Sequence, residues 1–334
     1  MPGTILICLF CSLGLFAPAH QADLTTAKVG DNIIVITGNY FDEHMTAIAT
    51  GEGVIVVDTM GTHQSTARGR EIIEEFTGEP NKYLIITHFD DDHMAGTQVF
   101  RDAEIIAHEN STKYYGKQIF SNPAAKASIL GLSNQLQKAL ESVEPDSPAA
   151  ERLKKYISYF GPSFLEGFDG YEFTPPTILI GSTAEIRLGN TIARIHHPGP
   201  GHTDTDLVVL LPREKVFIAG DLILDHGMAP VIHLRNGGSV LNMIKTLEKF
   251  KGMVAEYDYV VPGHGPVHKG ETISDALEYL YSLKEAVNSH IELGHTLQQA
   301  VEEIKIEKFS EYMLYDLFHP GNIAAAWSEL SAGR

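Results

Sequence analysis

The stretch "YLIITHFDDDHMAG" (residues 83–96) decides how this chain reads. A β-branched apolar run leads straight into two histidines and three aspartates between His88 and His93. The run predicts a strand. An acidic surface turn would explain the charges alone; a metal site mounted on the strand's exit would explain the charges and the histidines together. Choosing between them requires the rest of the chain.

The same pattern recurs further on. His202 follows "TIARIHHPGPG" (191–201), Asp221 follows "EKVFIAG" (214–220), and His264 follows "YDYVVPG" (257–263). With His88 and His93, these residues stand at exits of expected strands, where the backbone is rigid and ligands in open α/β sheets gather. A lone histidine in a turn is usually just wet, but five metal-capable groups in such places favour the metal reading.

In this order and context the residues resemble the metallo-β-lactamase superfamily of dinuclear hydrolases, over about residues 32–266. The family's His-x-His-x-Asp-His motif is matched by His88, Asp90, Asp92 and His93. Its Gly-His-Thr turn is matched by Gly201, His202 and Thr203, its bridging aspartate by Asp221, and its last histidine by His264. The resemblance implies one divalent ion on His88, Asp90 and His202, a second on Asp92, His93 and His264, and Asp221 between them. It implies hydrolysis by a metal-bound hydroxide that Asp92 positions.

Asp90 departs from the motif, which has histidine there. Zinc accepts a carboxylate oxygen at roughly 2.0–2.2 Å, much as it accepts imidazole nitrogen. The substitution removes one positive charge from the core, which weakens acidification of bound water. The harder ligand set also suits iron or manganese, so zinc is expected with those as alternatives. Asp91, read on an extended segment, should point away from its neighbours.

Composition narrows the classes. Asp and Glu outnumber Lys and Arg by 43 to 25, a net charge of −18 with no basic patch, which argues against nucleic acid and anionic membranes as partners. Residues 1–22, with "TILICLFCSLGLFA" and then "PAHQA", read as a secretory signal peptide, so the expected location is secreted or periplasmic. Cys8 and Cys11 both lie in it, leaving no thiolate ligand or disulfide in the mature chain. Neither a Gly-x-Ser-x-Gly elbow nor a Walker loop is present.

The expected architecture is α/β, a four-layer αβ/βα sandwich in which residues 23–270 form the catalytic domain. Residues 110–176 interrupt it as a helical insertion, and residues 271–334 add a helical extension. "STARGREIIEEF" (65–76) predicts a helix capped by Ser65 or Thr66, and "STKYYGKQIF" (111–120) is also read as helical. His44 and His63 fall in expected loops, His196 and His197 suit strand-edge packing, and Asp58 should cap a turn or orient a ligand. Asn110 opens a glycosylation sequon. Tyr114, Tyr115, Tyr156, Tyr159, Phe160 and Phe164 suit core packing or an aromatic pocket. The expected function is an exported metal-dependent hydrolase of a small-molecule ester, lactone or amide, β-lactams included. An iron-dependent redox enzyme on the same fold and a non-catalytic metal-binding protein are the rivals.

Overall fold

The computed structural model describes residues 24–332 apart from 39–40, 226 and 271. The signal peptide expected at 1–22, with both cysteines, lies outside the described residues. Short β-branched runs make two sheets. The first takes β1 (Thr25–Val29), β2 (Ile33–Thr37), β3 (His44–Ala49), β4 (Val54–Val57), β5 (Asn81–Ile85), β6 (Glu104–His108) and β7 (Ile178–Ile180), in that spatial order. Its first four strands are antiparallel and β4 to β7 run parallel. The second orders β8 (Thr183–Leu188), β9 (Thr191–His196), β10 (Val208–Leu211), β11 (Val216–Gly220) and β12 (Tyr259–Pro262), with only β11 and β12 parallel.

The sheets face each other through one apolar layer, which joins Val35, Ile55 and Ile85 of the first to Ile195, Val209 and Ile218 of the second. Strands such as β4, buried on both faces, need cover on their other side as well. For the first sheet that cover is α1 (His63–Thr77) with the short turn α2 (Asp91–Met94). Ile73, Ile72 and Phe76 supply its apolar face. Thr62, not Ser65 or Thr66, caps α1: its side chain accepts from Ser65 N, and the helix begins three residues earlier than expected.

Residues 110–176 contain α3 (Pro123–Glu141), α4 (Pro148–Tyr159) and α5 (Pro162–Glu166). The stretch 111–120 is not one helix. Two 3₁₀ turns, Glu109–Tyr114 and Ile119–Ser121, flank Gly116, whose φ of +75° a continuous helix cannot include.

Outside the second sheet pack α6 (Val240–Met253), α7 (Ile273–Glu292), α8 (Leu297–Glu303) and α9 (Tyr315–Ser331). Their apolar residues share one core with β10, β11 and β12, so the C-terminal helices form the fourth layer of the sandwich. Among the described residues no helix is long and apolar enough to cross a membrane.

Candidate metal centre

The carboxyl ends of β5, β11 and β12 open on the same edge of the sandwich. His88 lies just past β5, Asp221 directly after β11 and His264 two residues after β12. After Asp90 the chain does not stay extended as expected. Asp90 occupies the N-cap position of α2, and its carbonyl accepts from His93 N and Met94 N. The acidic run is therefore the first turn of a helix, a place that favours carboxylates. Asp91 points out of the ligand cluster, as expected, but its Oδ1 accepts from Ile119 N at 3.0 Å and ties the insertion to the site.

Seven side chains converge as two groups. In one, His93 Nε2 lies 3.6 Å from Asp92 Oδ2 and 3.2 Å from Asp221 Oδ1, while His264 Nε2 is 3.3 Å from Asp92 Oδ2 and from Asp221 Oδ2. The two imidazole nitrogens are 3.3 Å apart. A tetrahedron with bonds of 2.0–2.1 Å has edges of roughly 3.3 Å, so these atoms already outline one ligand sphere. In the other, His202 Nε2 lies 3.1 Å from Asp90 Oδ2 and 3.6 Å from Asp221 Oδ2, and His88 Nε2 is 3.9 Å from each of those oxygens. Asp221 belongs to both.

The hydrogen bonds behind the rings set which nitrogen faces inward. Nδ1 of His93 meets Asp58 Oδ2 at 3.1 Å, that of His202 meets the Val231 carbonyl at 2.7 Å, and that of His264 meets the Phe41 carbonyl at 2.8 Å. His88 Nδ1 meets Thr87 Oγ1 at 3.0 Å, and that hydroxyl donates to Asp58 Oδ2. Each Nδ1 thus has an acceptor, leaving each Nε2 free to act as a ligand. His88 Nε2 and Asp221 Oδ1 are buried with no hydrogen-bond partner. Buried polar atoms are rarely left this way. The site therefore fits a pair of ions.

The family model for the metallo-beta-lactamase superfamily matches residues 40–264. The chain belongs to the metallo-β-lactamase superfamily. A linear primary-alkylsulfatase of Pseudomonas sp. (strain ATCC 19151) is 23% identical over 273 residues, covering 78% of this chain and 49% of its own length. The chain thus spans about half of that relative. Among solved structures, a stereoselective inverting sec-alkylsulfatase from Pseudomonas sp. superposes with a TM-score of 0.67 at 13% identity, over 92% of this chain and 50% of its own. A metallo-beta-lactamase from Pontibacter korlensis gives 0.53 at 16% identity, over 77% and 99%. Superfamily hydrolases hold divalent ions, and among the described residues three His/Asp groups are spaced to suit one: His88, His202 and Asp221; Asp92, His93 and His264; and Asp90, His202 and His233.

Electrostatics agree with cationic occupants. Burial, then the charges of His93 and His202, lower the His88 imidazole to about 3. Burial opposes protonation of His264 too, but Asp221 and Asp92 push it up to about 10. At His202 burial is outweighed by Asp90 and Asp221, and the ring rises to about 9. Burial alone would raise Asp90, yet His233 and His202 hold it well below the usual carboxylate range. Protons thus do in this superfamily site what divalent ions do on binding, and binding would release them. Beside His264, burial lifts Glu43 to about 7 against the hydrogen bond it accepts from Gly61 N.

Reading the sequence missed two neighbours of Asp90. Asn236 Nδ2 donates to Asp90 Oδ1 at 2.7 Å, and His233 Nδ1 lies 2.5 Å from Oδ2. Both sit around a 3₁₀ turn, Leu234–Asn236, that follows no strand, so a search of strand exits passes over them. Asp58 meets the His93 ring from a left-handed backbone (φ 61°), and its carboxylate accepts from Thr87 N and Thr87 Oγ1.

Several other histidines serve structure. His44 is not in a loop: it opens β3, buried, with Nδ1 on the Pro262 carbonyl at 2.9 Å. His63 begins α1 instead of lying in a loop. His197 packs on the ring of His108 at the sheet edge, 3.9 Å between centroids. Asn110 is held by its side-chain bond to the Asp204 carbonyl. Of the aromatic set, Tyr156, Tyr159 and Phe164 are core residues, and Phe41 packs on Tyr159 with centroids 3.9 Å apart.

Proposed function

We propose that this chain is an exported hydrolase of a small-molecule ester, lactone or amide, using two divalent ions, with zinc first and iron or manganese as alternatives. The observation that carries the reading is the convergence of seven side chains, with facing atoms 3.1–3.9 Å apart and each imidazole presenting Nε2 inward. His88, Asp90 and His202 would hold one ion, Asp92, His93 and His264 the other, and Asp221 both. Bound there, the ions supply Lewis acidity that acidifies water and stabilises the oxyanion formed on attack. The apolar leader read at residues 1–22 is the support for export.

The chain's own part is positioning and proton handling. Asp92 is the least enclosed of the three carboxylates, its side chain 17% exposed against 10% for Asp90 and 9% for Asp221. It therefore faces arriving substrate and is placed to orient the attacking water and pass a proton to the leaving group. Asp58 fixes the His93 ring, and the Phe41 carbonyl fixes His264. The insertion packs beside them through Tyr159, which puts α4 where it can shape the substrate's approach.

A sulfate ester is the second reading. The sec-alkylsulfatase likeness covers 92% of this chain, against 77% for the Pontibacter korlensis metallo-beta-lactamase. The test is metal content per chain, on protein purified without added metal, alongside turnover of carboxylic esters, lactones, a β-lactam and alkyl sulfates. Two equivalents and chelator-sensitive turnover of one class are expected. Two equivalents with no turnover of any class would leave a metal-binding protein and end the hydrolase reading.

A further inference from the structure

Asp90 stands where the superfamily motif has histidine, and its surroundings differ from those of the other ligands. An imidazole ligand needs one partner, on Nδ1, to fix which atom faces the metal. A carboxylate rotates broadly about its terminal torsion and offers two equivalent oxygens. Here both are approached by neighbours: Asn236 Nδ2 donates to Oδ1, and His233 Nδ1 lies 2.5 Å from Oδ2 as an ion-pair contact outside hydrogen-bond geometry, at the oxygen that also faces His202 Nε2.

The turn that carries these two residues is fastened to the His202 loop. His233 N donates to the His202 carbonyl at 2.9 Å, Ser239 N to the Gly201 carbonyl at 2.8 Å, and Asp204 N to the Asn236 carbonyl at 2.8 Å. Gly237 closes the turn at φ +73°, and a Cβ there would lie 2.8 Å from Asp204 Cβ, so the turn and the loop are in direct contact. The His233 ring lies against His202 (4.6 Å between centroids) and Phe318 of α9 (5.8 Å).

His233 is not a further ligand of the same ion. Its Nδ1 is 2.5 Å from Asp90 Oδ2, closer than the roughly 3.3 Å between two ligand atoms of one tetrahedral ion. We propose that His233 and Asn236 are positioning residues that hold the Asp90 carboxylate as a metal ligand, and that this grip lets an aspartate fill the histidine slot. The proposal rests on the reading that His88, Asp90, His202 and Asp221 hold an ion.

The experiment is a double-mutant cycle read by metal retention. His233→Ala and Asn236→Ala are made in the parent and in Asp90→His, and metal per chain is measured after dialysis against graded chelator. Cobalt(II) absorption of each variant reports the ligand field. In the parent background each substitution should weaken retention of one equivalent by about 10–100-fold, the cost of losing a ligand's outer partner, and leave the other equivalent unchanged. In the Asp90→His background His233→Ala should cost nothing, because an imidazole ligand does not use the grip. Equal losses in both backgrounds, loss of both equivalents together, or undiminished retention would each overturn the proposal. A parent that binds fewer than two equivalents overturns the proposed function and this inference with it; a parent with two and an unimpaired His233→Ala overturns the inference alone.

Discussion

The two metal groups share Asp221 but are built from different material. The Asp92, His93 and His264 group is backed by the sheets: Asp58 follows β4, His264 follows β12, and the Phe41 carbonyl precedes β3. The His88, Asp90 and His202 group has one sheet-backed member, His88, through Thr87 and Asp58. Its other two depend on residues 231–236, which belong to no strand. That segment is fastened by α9. Asn322 Oδ1 accepts from Ile232 N at 2.9 Å, and its Nδ2 donates to the Pro230 carbonyl and to Tyr279 Oη. One half of the centre is thus a property of the sandwich edge, and the other half of a loop that a distant helix holds.

The comparison can be broken most completely at the shared residue. Asp221→Ala should empty both groups and reduce hydrolysis by at least about 10³-fold, since several kcal/mol of charge stabilisation is lost at 1.4 kcal/mol per decade. One tightly retained equivalent in that variant would show that the groups are independent. Asp58→Asn should lower retention of both ions, by about 10–100-fold for the one on His93, which Asp58 touches, and less for the one on His88, reached through Thr87. Graded chelation followed by mass spectrometry would separate the two losses.

Asn322→Ala sharpens the contrast. It removes a buried amide with three partners, so unfolding should become easier by about 1–3 kcal/mol, measured by denaturant titration. Retention of the first ion should fall while the second holds. The effect confined to stability belongs to Glu43, whose carboxyl is pushed up to about 7 from 4.5. A folded-state value above the unfolded one means that stability is full below pH 4.5 and is lost as pH rises through 7. In metal-free protein Glu43→Gln should flatten that decline, by no more than about 1.4 kcal/mol per pH unit, without altering the order in which the ions leave.

What the sequence disclosed follows the same division. His88, Asp221 and His264 were legible because a β-branched run and the ligand after it are neighbours in the chain. The four layers were legible because β4 and β5 read as continuous apolar strands, and such strands need cover on both faces. The turn after Asp90 was open to reading, since an aspartate followed by acidic residues is a helix start. His233, Asn236 and Asn322 were not legible. Each acts on a partner 85 or more residues away, His233 and Asn236 on Asp90 and Asn322 on the 230–232 segment, and no local pattern encodes such a pairing.

Asn322 also sets an order in time. At about 5–20 residues per second, the ribosome makes His88 tens of seconds before it makes the residue that fastens the far side of the centre. During that interval the ends of β5, β11 and β12 are made in sequence, and the loop bearing His233 has its bonds to the His202 loop but not yet those of Asn322 to residues 230 and 232. The far side of the centre is thus tied to the last helix to be made: a chain cut short before α9 would keep the sheet-backed side chains and lose the support behind the 230–232 segment.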